Sequence, residues 1–187
     1  MFEIMEKYNI EYFLYIGGND SMDTIKMLSD YAAKKDKPQK FMGVPKTIDN
    51  DLPLTDHTPG YGSAAKYIAT SMKEIIRDNA SFGASKPTVC IVEIMGRHAG
   101  WLTAAAALSK DSDCEGPDLI YLPEVPFDID QFMTRVKHLA ETKRSVVIAI
   151  SEGVRLADGR FVCELGSMND YVDAFGHKQL SGCASYL

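Results

Sequence analysis

The sequence predicts an α/β fold, a three-layer sandwich with mainly parallel sheets. Over most of the 187 residues, short apolar stretches rich in β-branched and aromatic side chains alternate with stretches of helical periodicity. This pattern is typical of parallel sheets covered by helices. The chain is also long enough to bury a sizeable core. We therefore expect polar loops to gather at the carboxyl ends of the strands, where ligands of such folds bind.

The first predicted strand, residues 10–16, ends in a glycine-rich loop, and a predicted helix follows at residues 22–34. The loop contains Gly17, Gly18 and Ser21, and glycines let backbone N–H groups approach a phosphate closely. The start of a helix adds unpaired donors and a partial positive charge. The arrangement predicts an anion site, although a tight strand-to-helix connection would give the same pattern.

The second predicted strand, residues 41–44, is followed by a loop at residues 45–51 that combines a cation, a hydroxyl and two carboxylates. Lys46 supplies positive charge for phosphate oxygens, while Asp49 and Asp51 offer a base and hard oxygen ligands for a metal. The loop thus has the groups that phosphoryl transfer needs. The alternative is an ordinary turn or helix cap, where Asp and Asn bond to nearby backbone groups.

The remaining elements continue the alternation of strands and helices. We predict a long helix at residues 61–78, a strand at 88–94, a helix at 99–108 and a strand at 145–150. The small side chains at residues 104–107 are suited to packing a helix against the sheet. The sequence contains no internal repeat and no low-complexity tract.

Composition and charge exclude several classes of function. The formal net charge of -6 and the lack of a basic run argue against nonspecific nucleic-acid binding. No apolar run has membrane-spanning length, and residues 1–9 lack the apolar region of a secretion signal. The four cysteines are widely spaced and form no CxxC pair, which favours reduced thiols. We expect a cytoplasmic protein that binds neither nucleic acid nor membrane.

Three motifs occur in an order that is found in a known enzyme family. They are Gly17-Gly18-Asn19-Asp20-Ser21, Thr47-Ile48-Asp49-Asn50-Asp51 and Met95-Gly96-Arg97. Further matches are residues 58–65, Pro123-Glu124, Ser151-Glu152-Gly153 and Gly176-His177-Lys178-Gln179. Together these segments resemble the 6-phosphofructokinases over nearly the whole chain.

The resemblance implies that two positions select the phosphoryl donor. Asp20 and Lys46 stand where the ATP-using members carry small residues. A carboxylate at position 20 would repel the α-phosphate of ATP, whereas a lysine at position 46 can hold a short, highly charged donor. The chain therefore resembles the pyrophosphate-dependent enzymes, which phosphorylate the 1-hydroxyl of fructose 6-phosphate. An ATP-dependent phosphofructokinase and an inactive sugar-phosphate-binding fragment are the alternatives.

The resemblance also implies roles for individual residues. Asp49 would be the general base, with Asp51, Lys46 and Asp20 as further catalytic residues. The donor would be bound by Gly17, Gly18, Ser21 and Lys46, and the sugar phosphate by Thr47, Ile48, Asp49, Met95, Gly96, Arg97, Glu152 and His177. The implied cofactor is Mg²⁺. Asn19 stands where the family commonly has the Asp associated with this ion, so the expected metal ligand is an amide oxygen without charge.

The resemblance further implies a two-domain architecture that is incomplete in this chain. We expect a partial phosphoryl-donor domain at residues 1–60, a fructose 6-phosphate domain at 61–178 and the start of a return to the first domain at 179–187. Family members open with a further strand and continue past the last segment present here, which indicates an internal fragment of a longer enzyme. Their active sites lie near subunit contacts, so we expect a homo-oligomer.

Overall fold

The computed structural model describes residues 1–82, 86–166 and 182–187. Within these residues the strands are β1 (Tyr12–Gly17), β2 (Lys40–Pro45), β3 (Thr88–Ile94), β4 (Leu119–Tyr121) and β5 (Ser145–Ser151). The α-helices are α1 (Phe2–Lys7), α2 (Asn19–Lys34), α3 (Tyr61–Ser81), α4 (Trp101–Ala104), α5 (Ile129–Thr142), α6 (Cys163–Gly166) and α7 (Cys183–Tyr186). A 3-10 helix at Ala105–Ser109 continues α4.

The strands of the described residues form two sheets, and every pairing between them is parallel. β1 pairs with β2 in a register that runs from Tyr12 opposite Lys40 to Gly17 opposite Pro45. The larger sheet has the order β3-β5-β4, so that β5 is its central strand. The predicted α/β fold with mainly parallel sheets is therefore confirmed. Parallel pairing places the loops after β1 and β2 at the same edge of their sheet.

The central strand β5 is buried on both faces, because helices cover the larger sheet on each side. Residues 146–150 are each at most 1% exposed, as expected of a strand covered on both sides. Successive side chains point to opposite faces. One set packs with Phe132 of α5, and the other packs with Met72 of α3 and Leu102 of α4. Helices therefore lie on both faces of the larger sheet.

The smaller sheet is covered by α2 on one face. Gly43 of β2 lies so close to this helix that a Cβ would meet the Met22 sulfur at 2.6 Å. On the opposite face, large apolar side chains are exposed within the described part of the chain, and Leu14 and Ile16 of β1 are 63% and 70% exposed. This face continues onto β2 through Met42, which is 63% exposed.

Helix α2 begins earlier than the sequence pattern predicts, at Asn19 instead of residue 22. Asn19, Asp20 and Ser21 therefore lie in the first helical turn rather than in a glycine-rich loop. A carboxylate is favourable at this position, because the first turn presents unpaired N–H groups and a partial positive charge. Asn19, Asp20 and Ser21 are consequently held by a helix, which gives their side chains a more defined direction than a loop would.

Two further elements differ from the prediction. The helix predicted at residues 99–108 is an α-helix only at Trp101–Ala104 and then tightens to a 3-10 helix, a common ending for helices. Ala106 within it is fully buried in a cluster with Met72 of α3 and Val147 of β5, whereas Ala107 is exposed. β4 and α5 were not predicted from the sequence. A start signal for α5 was present in Asp128, which caps this helix by accepting a hydrogen bond of 2.9 Å from the Gln131 N–H.

The two sheets fall on either side of residue 60, with β1 and β2 before it and the larger sheet after it. The domain boundaries at residues 60 and 178 stay a prediction. Among the described helices, none combines the length and the apolar character needed to cross a membrane.

Candidate functional site

Three loops that follow strands converge on one open cleft of about 380 Å³. The first leads from β1 into α2, the second follows β2, and the third follows β3. The cleft is lined by Gly18, Asn19, Asp20, Lys46, Thr47, Asp49, Asp51, Arg97 and His98. Cations, carboxylates and hydrogen-bond donors therefore share one solvent-accessible space, as a phosphoryl-transfer site requires.

The first two loops are joined directly through the backbone. The Lys46 N–H donates a hydrogen bond of 2.9 Å to the Gly17 carbonyl, which extends the β1–β2 pairing into the site. Gly17 is buried, and a Cβ there would overlap the side chain of Ser21. Gly17 and Ser21 thus pack against each other and do not line the cleft, whereas Gly18, Asn19 and Asp20 do.

Asn50 organises the loop after β2 from the inside. It is 8% exposed and has a φ of 60°, in the left-handed region that Asn tolerates better than most residues. Its Oδ1 accepts a hydrogen bond of 2.9 Å from the Thr58 N–H, and its Nδ2 donates at 3.1 Å to the Asp56 carbonyl. The buried amide therefore holds the loop in one conformation, from which Asp49 and Asp51 on either side both reach the cleft.

Asp49 lies in an environment that disfavours its ionised form. Burial raises the pKa of its carboxyl, and the charge of Asp51 adds to this effect. A hydrogen bond with Thr47 and the charges of Lys46 and Arg97 oppose the rise in pKa. The Oδ1 atom of Asp49 is buried and has no hydrogen-bond partner among the described residues. A carboxylate with a raised pKa and an unused oxygen in a cleft has the properties of a general base.

The loops after β3 and β5 are locked to each other. The Gly96 N–H donates to Glu152 Oε1 at 3.2 Å, and the Ser151 hydroxyl donates to the Gly96 carbonyl at 2.6 Å. A Cβ on Gly153 would overlap the backbone of Gly96 and Arg97, so only glycine allows the two loops to approach this closely. Burial raises the pKa of the Glu152 carboxyl, against the hydrogen bond from Gly96.

The cleft is also lined by several side chains that carry the oxygen atoms a hard metal ion prefers. No group of three or more His, Cys, Asp or Glu side chains could hold a metal by itself within residues 1–82, 86–166 and 182–187. The cleft does contain the side-chain oxygens of Asn19, Asp20, Asp49 and Asp51. Mg²⁺ commonly takes only one or two carboxylates from a protein and completes its shell with water and substrate phosphates. A metal ion in this cleft would therefore have to take part of its ligands from water or from the phosphates of a bound ligand.

A model of one protein family, described as phosphofructokinase, matches residues 1–187. The chain belongs to the phosphofructokinase family. The resemblance inferred from the three sequence motifs is therefore confirmed, and the cleft is the place where those phosphofructokinase motifs meet.

Known phosphofructokinases are similar to this chain in sequence and in structure. The pyrophosphate–fructose 6-phosphate 1-phosphotransferase of Halomonas elongata is 44% identical over 187 residues, covering 100% of this chain and 44% of that protein. The crystal structure of a pyrophosphate-dependent phosphofructokinase from Nitrosospira multiformis matches with a TM-score of 0.74 and 41% identity, over 85% of this chain and 40% of that one. A pyrophosphate-dependent phosphofructokinase from Marinobacter aquaeolei matches with a TM-score of 0.71 and 41% identity, over 95% and 45% of the two chains. This chain thus spans less than half the length of these relatives.

Some of the site residues predicted from the sequence lie outside the cleft lining. Ile48 and Met95 are 40% and 54% exposed, and neither lines the cleft. Gly96 is buried beneath the Arg97 loop, and half-buried Glu152 is bonded to it. His177 lies outside the described residues. The roles inferred for these residues stay predictions.

Sequence reasoning missed two residues that the structure draws into the site. His98 follows Arg97 directly and lines the cleft beside it. The available signal was the position of His98 directly after the Met95-Gly96-Arg97 motif, but a lone histidine does not indicate a functional site without its spatial neighbours. Asn50 was quoted as part of a motif without a role, and its buried hydrogen bonds now supply one. The tolerance of Asn for positive φ was the available signal.

Proposed function

We propose that the protein transfers a phosphoryl group from pyrophosphate to the 1-hydroxyl of fructose 6-phosphate, giving fructose 1,6-bisphosphate and orthophosphate. The observation that carries the proposal is the presence of Asp20 and Lys46 in one cleft with Asp49. This combines the charges expected of a pyrophosphate user with a candidate base. The names of the similar proteins from Halomonas elongata and Nitrosospira multiformis support the same donor.

In the proposed reaction, Asp49 accepts the proton of the attacking hydroxyl. Its raised pKa makes it a stronger base than an exposed aspartate. The negative charge of neighbouring Asp51 sustains this basicity, whereas Lys46 and Arg97 bring positive charge for the phosphoryl oxygens. Thr47 helps to orient the phosphoryl group. Catalysis would then rest mainly on positioning and on the neutralisation of developing charge.

On the sugar side, we propose that Arg97 binds the phosphorylated acceptor through its planar, permanently charged fork. Glu152 would accept hydrogen bonds from sugar hydroxyls with the carboxylate oxygen that Gly96 does not use. Met95, Gly96, Ile48 and His177 retain the sugar-side roles that the family resemblance implies for them.

Mg²⁺ belongs to the proposal as the cofactor. Asn19 and the cleft carboxylates would hold it together with the phosphates of the donor. When bound, the ion supplies positive charge at the phosphate oxygens, which lowers the cost of bringing anionic substrates together. We also propose a cytoplasmic homo-oligomer, and the exposed apolar side chains of β1 support an assembly.

The choice of pyrophosphate over ATP is tested by the double substitution Asp20→Gly with Lys46→Gly. Removing the carboxylate and the lysine should lower the preference for pyrophosphate by roughly 10-fold or more, the scale expected when charge-assisted contacts are lost. The measurement is kcat/KM with pyrophosphate and with ATP in the presence of Mg²⁺. An unchanged ratio between the two donors would remove the reason for choosing pyrophosphate.

A matched control is Asp23→Ala with Lys26→Ala, which removes the same charges from exposed positions of α2 outside the cleft. This control should leave the donor ratio unchanged.

Product from ATP but none from pyrophosphate with the unsubstituted protein would establish the ATP-dependent alternative. Calorimetric binding of fructose 6-phosphate without transfer from either donor would instead indicate a sugar-phosphate-binding module.

A further inference from the structure

His98 lies in the cleft and is in contact with a second arginine from outside it. The Nη2 atom of Arg155 lies 2.7 Å from His98 Nδ1. His98 lines the cleft together with Arg97, Asp49 and Asp51, whereas Arg155 does not. The imidazole is therefore a cleft-lining group that also contacts a cation outside the cleft lining.

Arg155 is itself held firmly. Its guanidinium lies over the ring of Phe161, with Cζ at 4.1 Å from the ring centroid. Its backbone pairs with that of Phe161, and its carbonyl accepts a hydrogen bond of 2.7 Å from the Phe127 N–H. Two residues before it, Gly153 packs against the Arg97 backbone. The contact with His98 thus comes from a side chain with a fixed anchor.

The chemistry of this pair selects one form of the imidazole. A guanidinium has only donors and stays protonated in proteins, so the hydrogen bond requires a lone pair on His98 Nδ1. The proton of the ring must then reside on Nε2. His98 is an exposed residue, but partial desolvation and the charges of Arg155 and Arg97 lower its pKa, against the charges of Asp51 and Asp49. An imidazolium beside Asp49 would weaken that residue as a base, whereas a neutral ring leaves its basicity intact.

We propose that His98 is a substrate-contacting residue of this cleft, a neutral imidazole whose Nε2–H donates to a phosphoryl oxygen, with Arg155 as the positioning residue that sets its tautomer. This inference rests on the proposed function, since it assumes that the cleft binds phosphorylated ligands. A neutral imidazole can serve as a donor to substrate oxygen where its environment keeps it unprotonated. The phosphoryl oxygen belongs either to pyrophosphate or to fructose 6-phosphate.

The tautomer is tested first, by nitrogen-15 NMR of the histidine rings in the 187-residue protein. At about pH 7.5 we expect His98 to be neutral with its proton on Nε2, a state that long-range proton–nitrogen correlations identify directly. Arg155→Met keeps an unbranched side chain that can cover Phe161 but removes the donor. It should convert His98 to a mixture of tautomers. A charged ring or a proton on Nδ1 in the unsubstituted protein would overturn the inference.

The ligand is tested by two separate titrations of the same labelled protein, one with inorganic pyrophosphate and one with fructose 6-phosphate. A change in the Nε2 signal of His98 with pyrophosphate assigns the contact to the donor, and a change with fructose 6-phosphate assigns it to the acceptor. No change with either ligand overturns the proposal. These readouts need no turnover, so a protein that fails to transfer phosphoryl groups would refute the proposed function without deciding this inference.

Kinetics with matched variants gives an independent readout. His98→Leu removes the donor and should reduce kcat/KM roughly 10- to 100-fold, as expected for a hydrogen bond to a charged group. His98→Gln keeps an N–H near the position of Nε2 and should retain more activity than the Leu variant. His138→Leu, on the exposed side of α5, is the control and should leave kcat/KM unchanged. Equal activity of the His98→Leu variant and the unsubstituted protein would contradict the proposed contact.

Discussion

At the scale of single residues, Asp49 shows how a functional group is kept in an unfavourable state. Burial and the charge of Asp51 raise the pKa of its carboxyl, and no described residue satisfies its Oδ1 atom. The ionised form is therefore less stable in the folded protein than in water. This conflict is expected where a group must take up a proton during a reaction.

The substitution Asp49→Asn should separate stability from activity. Because the folded-state pKa of Asp49 is raised, the folded protein holds this proton more tightly, and stability falls as the pH rises from the usual value of 3.8 through the raised pKa. Asn cannot ionise, so the variant should be more stable than the unsubstituted protein near pH 7.5 but not below the usual value. We expect a gain in Tm of roughly 1–3 °C, the scale of less than about 1 kcal/mol for a chain of this size.

The same variant should lose roughly 10²- to 10⁴-fold in kcat, with a much smaller change in the KM for fructose 6-phosphate, because it lacks the general base. In the unsubstituted protein, activity should fall as the pH drops through the raised pKa of Asp49. Thermal denaturation at the two pH values and initial rates provide the measurements. A variant with near-normal kcat would refute the role of Asp49 as general base. An equal difference in Tm at both pH values would show that the ionised Asp49 carboxylate does not destabilise the fold.

At the scale of elements, the site depends on loops that are tied to each other rather than on the strands alone. The backbone bond between Lys46 and Gly17 joins the first two loops, and the bonds of Gly96 with Ser151 and Glu152 join the loops after β3 and β5. The loop after β2 has its own internal anchor in Asn50.

The substitution Asn50→Ala should weaken this anchor in two ways. It leaves the Thr58 N–H and the Asp56 carbonyl without their buried partner, and it places a Cβ-bearing residue with little tolerance for positive φ at 60°. We expect a loss of roughly 1–3 kcal/mol in the free energy of unfolding, together with a reduced kcat because Asp49 is no longer held. Denaturant titration and initial rates measure the two effects.

Asn50→Gly is the matched control, since glycine accepts the positive φ but also lacks the amide. The difference between the Ala and Gly variants isolates the backbone strain, and the shared loss isolates the hydrogen bonds. If both variants matched the unsubstituted protein in stability, the buried amide would have no anchoring role.

At the scale of the whole molecule, the two sheets differ in how completely they are covered. The larger sheet has helices on both faces, and residues 146–150 of its central strand are buried. The smaller sheet has one face covered by α2, while Leu14, Ile16 and Met42 on the other are more than half exposed in the described part of the chain. Contiguous apolar surface of this kind promotes association.

The open face predicts a measurable surface property of the 187-residue protein. Replacing Leu14 and Met42 together by Lys should reduce both the binding of a hydrophobic dye and concentration-dependent self-association. Both side chains are 63% exposed, so the free energy of unfolding should change by no more than about 0.5 kcal/mol per site. Val125→Lys is the control, because Val125 is 61% exposed in a loop away from this sheet. Dye binding that falls equally in the control, or not at all, would show that this face does not drive association.

The sequence by itself was sufficient for the local features of this protein. Period and composition predicted β3 with its bounds at Thr88–Ile94, because a short run rich in β-branched residues favours an extended strand. The charges at Asp20, Lys46 and Asp49 indicated a phosphoryl-transfer site, because that chemistry requires cations and a base in one place. Such properties belong to the side chains and to their immediate neighbours along the chain.

Only the tertiary structure decided which of these groups act together. The raised pKa of Asp49 depends on burial, and the tautomer of His98 depends on Arg155, 57 positions away in the sequence. The hydrogen bonds of the buried Asn50 amide likewise depend on how its loop folds back onto Asp56 and Thr58. Hydrogen bonding and desolvation depend on distances in space, so the chemistry of the cleft became specific only when the loops after separate strands were brought together.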